Sequence, residues 1–297
     1  MKIFFLKLIF FVLSINCFIF LESYFHQARS EQITKIKPCD NVNEYFNSND
    51  DTIFRAISDC YFLKNVISDP PNNTILINVK SKMIIFDDKI SKNFLQKIEN
   101  SDVEDMFSQL YITGNCQEKF VFDYDPGRFR NQDFFCALYG HNDIEVKKNL
   151  IPVNFCGTSV LFNKLYGAAD ALTKVSLQLN ALMQNDSKFK NFLFPLSGTF
   201  VWRKIAGTQR LSPHSWGIAI DINPKQNPYW RWSKKILPLE VESIRSNFPI
   251  KLINIFENNG FIWGGKWSHY DMMHFEYRPE LLLYSKMLTH STTHKQR

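Results

Sequence analysis

Two short segments hold the residue types that a metal centre needs. Ser212-Pro213-His214-Ser215-Trp216-Gly217-Ile218-Ala219-Ile220-Asp221 supplies an imidazole and a carboxylate, and Asp271-Met272-Met273-His274-Phe275-Glu276 supplies a second imidazole with further acids. His214, Asp221 and His274 are the minimum set for a zinc ion that keeps one position open for water. Gly217 interrupts the chain after His214, and Ile218 to Ile222 then alternates with period two. Ala219 and Asp221 therefore share one face of a strand, and the isoleucines take the other. An ionised carboxylate on a mostly buried strand is costly unless a cation lies beside it, so a metal is the economical explanation of Asp221. His274 and Glu276 fall on one face of the next strand, with Phe275 and Tyr277 on the other. Asp271, three residues before His274, can reach a water on the same metal without being a ligand.

The pair of motifs resembles the zinc D-alanyl-D-alanine carboxypeptidase-like peptidases, whose pattern is Ser-x-His-x-x-Gly-x-Ala-x-Asp followed later by an acidic residue, two spacers and His. Ser212, His214, Gly217, Ala219 and Asp221 fill the first half, and Asp271 and His274 fill the second. The similarity continues through Gly198-Thr199-Phe200-Val201-Trp202-Arg203, Ile205-Ala206-Gly207-Thr208 and Asn259-Gly260-Phe261-Ile262-Trp263-Gly264-Gly265-Lys266-Trp267, and covers roughly residues 118 to 285.

The resemblance implies that His214, Asp221 and His274 bind Zn2+ and that Asp271 is the general base. It implies that Arg203 stabilises the carbonyl oxyanion, with Arg210 a second candidate, and that Ser212 and Trp216 contact substrate beside the ligand loop. Zinc lowers the pKa of bound water from about 15.7 toward about 7, so no covalent intermediate is needed. The implied activity is hydrolysis of peptidoglycan stem peptides, first as a D-alanyl-D-alanine carboxypeptidase. The alternatives are an endopeptidase cutting an L-alanyl to D-glutamate bond, and a non-catalytic zinc-stabilised cell-wall binding module, because fold alone does not fix function. The implied fold is α+β, with helices packed on a small, mainly antiparallel sheet carrying a zinc cleft, as in Hedgehog-like and DD-peptidase-like domains. Periodicity alone says only mixed α and β.

Each residue also has a plain structural role to weigh. Asp271 could cap a turn, Arg203 could pair with an acid at a strand end, and Glu276 suits a salt bridge or a partner to a ligand better than a ligand. His269, in Ser268-His269-Tyr270, suits structural support. The run Pro228-Tyr229-Trp230-Arg231-Trp232 could wall a substrate cleft, though such clusters are more often loops packed down by their own rings.

The chain of 297 residues has 45% hydrophobic content, enough for a sizeable core. Its net charge of +6 comes without a nucleic-acid module, and the lysines are scattered, which argues against nucleic acid as a partner. A basic enzyme among anionic envelope polymers is the easier reading, with plain solubility as the simpler alternative. Met1-Lys2 and Lys7 lead into an apolar run from Leu8 to Leu21, shorter than the roughly 20 residues of a comfortable span. Residues 1–30 read as a signal peptide with Ala28-Arg29-Ser30 as the cleavage region; inserted whole from Ile3 to Leu21, the run would be a membrane tether instead. Cys17 raises lipidation, but Ser14-Ile15-Asn16 departs from the usual lipobox. Either way the expectation is export to the periplasm or cell envelope, where cysteines can pair. Local pairs would join Cys39 to Cys60 and Cys116 to Cys136, leaving Cys156 free.

Residues 31–115 form an N-terminal region whose function the residues do not declare, and 116–297 carry the peptidase-like segment. Ile75 to Val79 and Met83 to Phe86 read as strands across Lys80-Ser81-Lys82, with an amphipathic helix from about Phe94 to Leu110. A longer helix begins at Thr158 or Ser159 and carries Leu161, Leu165, Ala168, Leu172, Val175, Leu179 and Leu182 on one stripe. Another runs from Pro249 to Asn258 and stops at Gly260.

Overall fold

The computed structural model describes residues 48–63, 66–69, 72–114, 121–232 and 238–294. The apolar segment at 1–30 lies outside them, as do Cys17, Cys39 and Cys116. Among the described residues no helix is long and apolar enough to cross a membrane.

Helix α1 (Ser48–Tyr61) is followed by strands β1 (Val66–Asp69), β2 (Thr74–Val79) and β3 (Lys82–Asp87) and by helix α2 (Phe94–Asn100). Next come α3 (Gln132–Tyr139), α4 (Asp143–Lys147), strands β4 (Leu150–Phe155) and β5 (Thr158–Asn163), α5 (Ala168–Asn185) and the single turn α6 (Lys190–Leu193). The chain ends with β6 (Ala219–Asp221), α7 (Pro238–Asn247), α8 (Ile250–Glu257), β7 (Phe261–Trp263), β8 (His274–Tyr277) and α9 (Pro279–His294). Three small sheets result, ordered β1-β2-β3, β4-β5 and β6-β8-β7, and every strand pair is antiparallel. The fold class is therefore α+β.

Four elements differ from the sequence reading. Residues 158–163 form strand β5 rather than the first turns of a helix. Their β-branched and aromatic side chains pair with β4 in unbroken register from Phe155↔Thr158 to Leu150↔Asn163. The helix starts only at Ala168, and the buried stripe is Ala168, Leu172, Val175 and Leu179, with Leu161 left 48% exposed on the strand. Helix α2 stops at Asn100 because Ser101 turns extended and Asp102 is drawn to the Lys92 ammonium at 2.9 Å. A separate 3-10 turn then covers Glu104–Phe107. Pro249 caps α8 from outside rather than opening it. Residues 199–203 are not a strand; they lie between the isolated bridges Gly198↔Asp221 and Lys204↔Leu211.

The core is shared by residues on both sides of position 115. Ile53, Ile57, Tyr61 and Phe107 are buried in the same cluster as Leu172, Trp216, Phe275 and Tyr284. Helices α1 and α9 are joined by hydrogen bonds from Tyr61 Oη to Glu280 Oε2 (2.6 Å) and from Tyr284 Oη to Asn49 Oδ1 (2.6 Å). Cys60, Cys136 and Cys156 are free thiols among the described residues, and Cys39 and Cys116, the expected partners of Cys60 and Cys136, lie outside them. Burial pushes the Cys136 thiol up to about 11.

Candidate metal centre

The site is built on the three-stranded sheet. In β8, the central strand, His274 lies directly opposite Asp221 of β6, and Glu276 lies opposite Ala219. The period-two expectation for both segments therefore holds, with His274, Glu276, Ala219 and Asp221 on one face. His214 arrives from the preceding 3-10 turn Pro213–Trp216, which ends where the Gly217 N–H donates to the His214 carbonyl at 3.1 Å. Gly217 has φ +66, the left-handed region that favours glycine, and a Cβ there would press on Leu150 Cδ2 at 2.5 Å.

One ligand atom from each of His214, Asp221 and His274 lies within 4.8 Å of the others. His214 Nδ1 is 2.6 Å from the Thr199 carbonyl, which can only accept, so the proton sits on Nδ1 and the Nε2 lone pair faces inward. That Nε2 is buried, makes no hydrogen bond, and lies 3.2 Å from Asp221 Oδ2. His274 repeats the pattern with its nitrogens exchanged: Nε2 faces Glu276 Oε2 at 3.5 Å, and Nδ1 lies 2.9 Å from Asp221 Oδ1. A ring nitrogen lone pair against a carboxylate oxygen is favourable only when a proton or cation is shared between them. Two neutral imidazoles and one carboxylate converging in this way fit a divalent zinc.

The electrostatics agree with that fit. Burial alone would raise Asp221, but the two imidazoles beside it, His214 and His274, hold its carboxyl well below the usual range. Burial alone would lower His274, but its hydrogen bonds to Asp221 and Glu276 raise it to about 10. Carboxylates that hold a proton there would hold a cation in its place. The other acidic groupings, Asp87 with Asp88 and Asp102, and Asp102 with Glu104 and Asp105, already have a cation among them. Lys92 Nζ lies 2.8 Å from Asp88, 2.9 Å from Asp102 and 2.7 Å from Asp105.

Asp271 sits where β8 is approached, its N–H donating to the Gly264 carbonyl at 2.9 Å and its carbonyl accepting from His274 N–H at 3.2 Å. A Cβ on Gly264 would come within 2.8 Å of the Asp271 carbonyl and 3.1 Å of its Cβ, so the bare backbone at 264 makes room for this residue. Its Oδ1 is closed off from solvent and makes no hydrogen bond. Burial, then the Asp221 charge, pushes Asp271 up to about 7. A buried carboxylate oxygen without a partner is expensive, and such groups concentrate where chemistry is done.

Ser212 is buried and its N–H donates to the Arg203 carbonyl at 3.0 Å, so the two lie side by side, with the Arg203 side chain exposed. Trp216 is buried, stacked on Phe135 at 5.0 Å, and reaches the neighbouring cleft from the core side. Glu276 pairs with Arg130 and faces His274 Nε2 at 3.5 Å, in the salt-bridge position expected of it. His269 is structural, its backbone N–H and Nδ1 lying 3.0 and 2.8 Å from the buried Asp125 carboxylate. The 228–232 loop is packed down: Trp230 N–H donates to the Tyr270 carbonyl at 3.0 Å, and its ring meets His269 edge-on at 4.9 Å, while Trp232 stays 70% exposed.

Arg130 is the residue that sequence reasoning missed. Its Nε lies 2.9 and 3.1 Å from the two Glu276 oxygens, and its Nη2 joins Oε2. Burial would raise Glu276, but the Arg130 charge and hydrogen bonds hold it well below the usual carboxylate range. Behind it Arg278, fully buried, lies 3.5 Å from Glu276 Oε1 and pairs with Glu280, which accepts from Tyr61. Nothing in the spacing of Arg128-Phe129-Arg130 ties it to a strand 146 residues further on.

Fold and site together define an α+β protein with a His-Asp-His centre on an antiparallel sheet and a buried acid beside it. Residues 206–277, about a quarter of the chain, match the sequence model of a family described as D-alanyl-D-alanine carboxypeptidase. The matched segment is similar to that family, and it contains His214, Asp221, Asp271 and His274. No curated protein and no solved structure matches the chain.

Proposed function

We propose that this protein is a zinc-dependent hydrolase of peptidoglycan peptides acting in the cell envelope, and that its first activity is removal of a terminal D-alanine. The observation that carries this reading is the convergence of His214 Nε2, His274 Nδ1 and both Asp221 oxygens, with the unpartnered Asp271 oxygen close by. Zinc held by His214, Asp221 and His274 would supply Lewis-acid polarisation of the scissile carbonyl and lower the pKa of water toward about 7. Asp271, held near neutrality, accepts the proton of the attacking water and returns it to the leaving amine. Arg203 stabilises charge on the carbonyl oxygen, and Ser212 beside it helps to place the substrate.

Mass spectrometry of purified muropeptides, incubated with the protein with and without chelator, tests the function and reports the bond cut. Loss of one terminal D-alanine that stops on chelation is the expected result. Cleavage between L-alanine and D-glutamate would make it an endopeptidase, and no chelator-sensitive product from any muropeptide would sink the peptidase reading.

The Arg203 role has its own test. Arg203→Lys keeps the charge but loses the planar fork of donors. The expected outcome is a fall on the order of 100-fold in kcat with zinc content and melting temperature retained. A lower melting temperature with kcat retained would assign Arg203 to the fold. Arg210→Lys is measured beside it, and a kcat loss there instead would move the oxyanion role to Arg210.

A further inference from the structure

Next to the centre lies a cleft of about 370 Å³ lined by Glu99, Arg130, Gln132, Gln209, Arg210 and Trp216, among others. Pockets that take small ligands run from about 300 to 1,000 Å³. Arg130 joins the cleft to the centre, since the guanidinium on its wall is the one that grips Glu276, the partner of His274.

The cations here are not equally satisfied. Arg128 and Arg130 each face a carboxylate with no exposed surface, Asp125 and Glu276 respectively. Arg210 keeps only 13% of its side chain in solvent, yet its partner Glu99, at 3.3 Å, is 50% exposed. Arg210 Nε is closed off from solvent and makes no aligned hydrogen bond, though Glu99 Oε1 lies 3.3 Å from it. Burial, then the like charge of Arg130, works against the cation. The side-chain oxygens of Gln132 and Gln209 are taken by Leu211 N–H and Lys204, so these side chains have N–H donors left to offer a ligand.

We propose that this cleft is a carboxylate subsite, in which an acidic group of the peptide substrate displaces Glu99 from Arg210 and is held bidentately by its guanidinium. Glu99 is the movable member because half of its side chain is already in water, whereas Arg210 is walled in. Charge-assisted, two-pronged pairing of this kind is what an arginine fork does best. The inference rests on the peptidase reading. A stem peptide offers two carboxylates of the same chemistry, the free one of its internal D-isoglutamyl residue and the one at its C-terminus.

The test is calorimetric binding to zinc-loaded Asp271→Asn protein, which does not turn over. Three peptides are compared: a lysine-containing stem pentapeptide, the same peptide amidated at the D-isoglutamyl carboxylate, and the same peptide amidated at its C-terminus. One amidation is expected to weaken binding about tenfold, as loss of a charge-assisted hydrogen bond does, and it names the carboxylate. That penalty should vanish when Arg210→Gln is added. Glu99→Gln, a change at an exposed position, should tighten the unamidated peptide by removing its competitor. No binding, three equal affinities, or an amidation penalty that survives Arg210→Gln would overturn the subsite. Turnover of the unamidated peptide by wild-type protein is measured separately. Its absence alongside an Arg210-dependent penalty removes the peptidase reading and leaves the subsite, and turnover without the penalty does the reverse.

Discussion

Asp271→Asn is expected to keep its zinc and lose about 100- to 10,000-fold in turnover, the contribution typical of one positioned proton-transfer group. The substitution is nearly isosteric, and Asp271 is not among the three residues whose ligand atoms converge. The variant should also be no less thermally stable than wild type when both are metal-free. Asp271 carries its proton up to about 7 in the folded chain against 3.8 for an ordinary aspartate. The folded state therefore binds that proton more tightly, and ionising it costs stability as pH rises from about 3.8 toward about 7. Asparagine removes that cost, so a rate loss without a stability loss is the pattern of a group kept for chemistry. The check is kcat for D-alanine release, elemental zinc and melting curves on the same preparations. Near-wild-type turnover with zinc bound would hand the base role to another group. Glu276 is a poor substitute, since Arg130 and Arg278 hold its carboxylate ionised.

The arrangement of the centre was legible in the sequence because it depends on short-range facts. The period-two alternation of 218–222 and 274–277 placed Asp221, His274 and Glu276 on one face, and the register Asp221↔His274 puts them opposite one another. The type of sheet came from resemblance, and three small antiparallel sheets appear. What stayed hidden depends on long-range contact. The stripe that suggested a helix from 158 is shared by strand β5 and helix α5, and only pairing with β4 decides between them. Asp102, which ends α2 early, acts through Lys92, and a helix pattern does not weigh a buried ion cluster. Arg130, Arg278 and Glu280 form a buried row of charges running from His274's partner Glu276 to Tyr61 on α1. Local spacing says nothing of that row, because the residues it joins are far apart in the chain. It gives residues 48–61 a physical tie to the centre that a reading of the 31–115 segment alone did not show.

His214→Ala and His274→Ala are each expected to abolish stoichiometric zinc, with the wild type retaining about one ion per chain after dialysis. Losing even an outer partner of a ligand typically costs 10- to 100-fold in metal affinity, and losing one of three direct ligands should cost more. The two variants should differ in what they do to the fold. His274→Ala leaves Glu276 still paired with Arg130 and Arg278, so its buried charge stays compensated and the protein should remain folded. His214→Ala strands the buried Thr199 carbonyl that its Nδ1 proton had satisfied, at a cost of about 1–3 kcal/mol. It should therefore melt at the lower temperature of the two. Elemental analysis after dialysis and thermal melts with and without added zinc separate these effects. Wild-type protein should gain melting temperature with zinc, because a ligand that binds only the folded state stabilises it, and neither variant should. Stoichiometric zinc retained by both variants would mean that the ion sits elsewhere. The His-Asp-His convergence would then be an ion-pair network, and the hydrolytic reading would lose the observation that carries it.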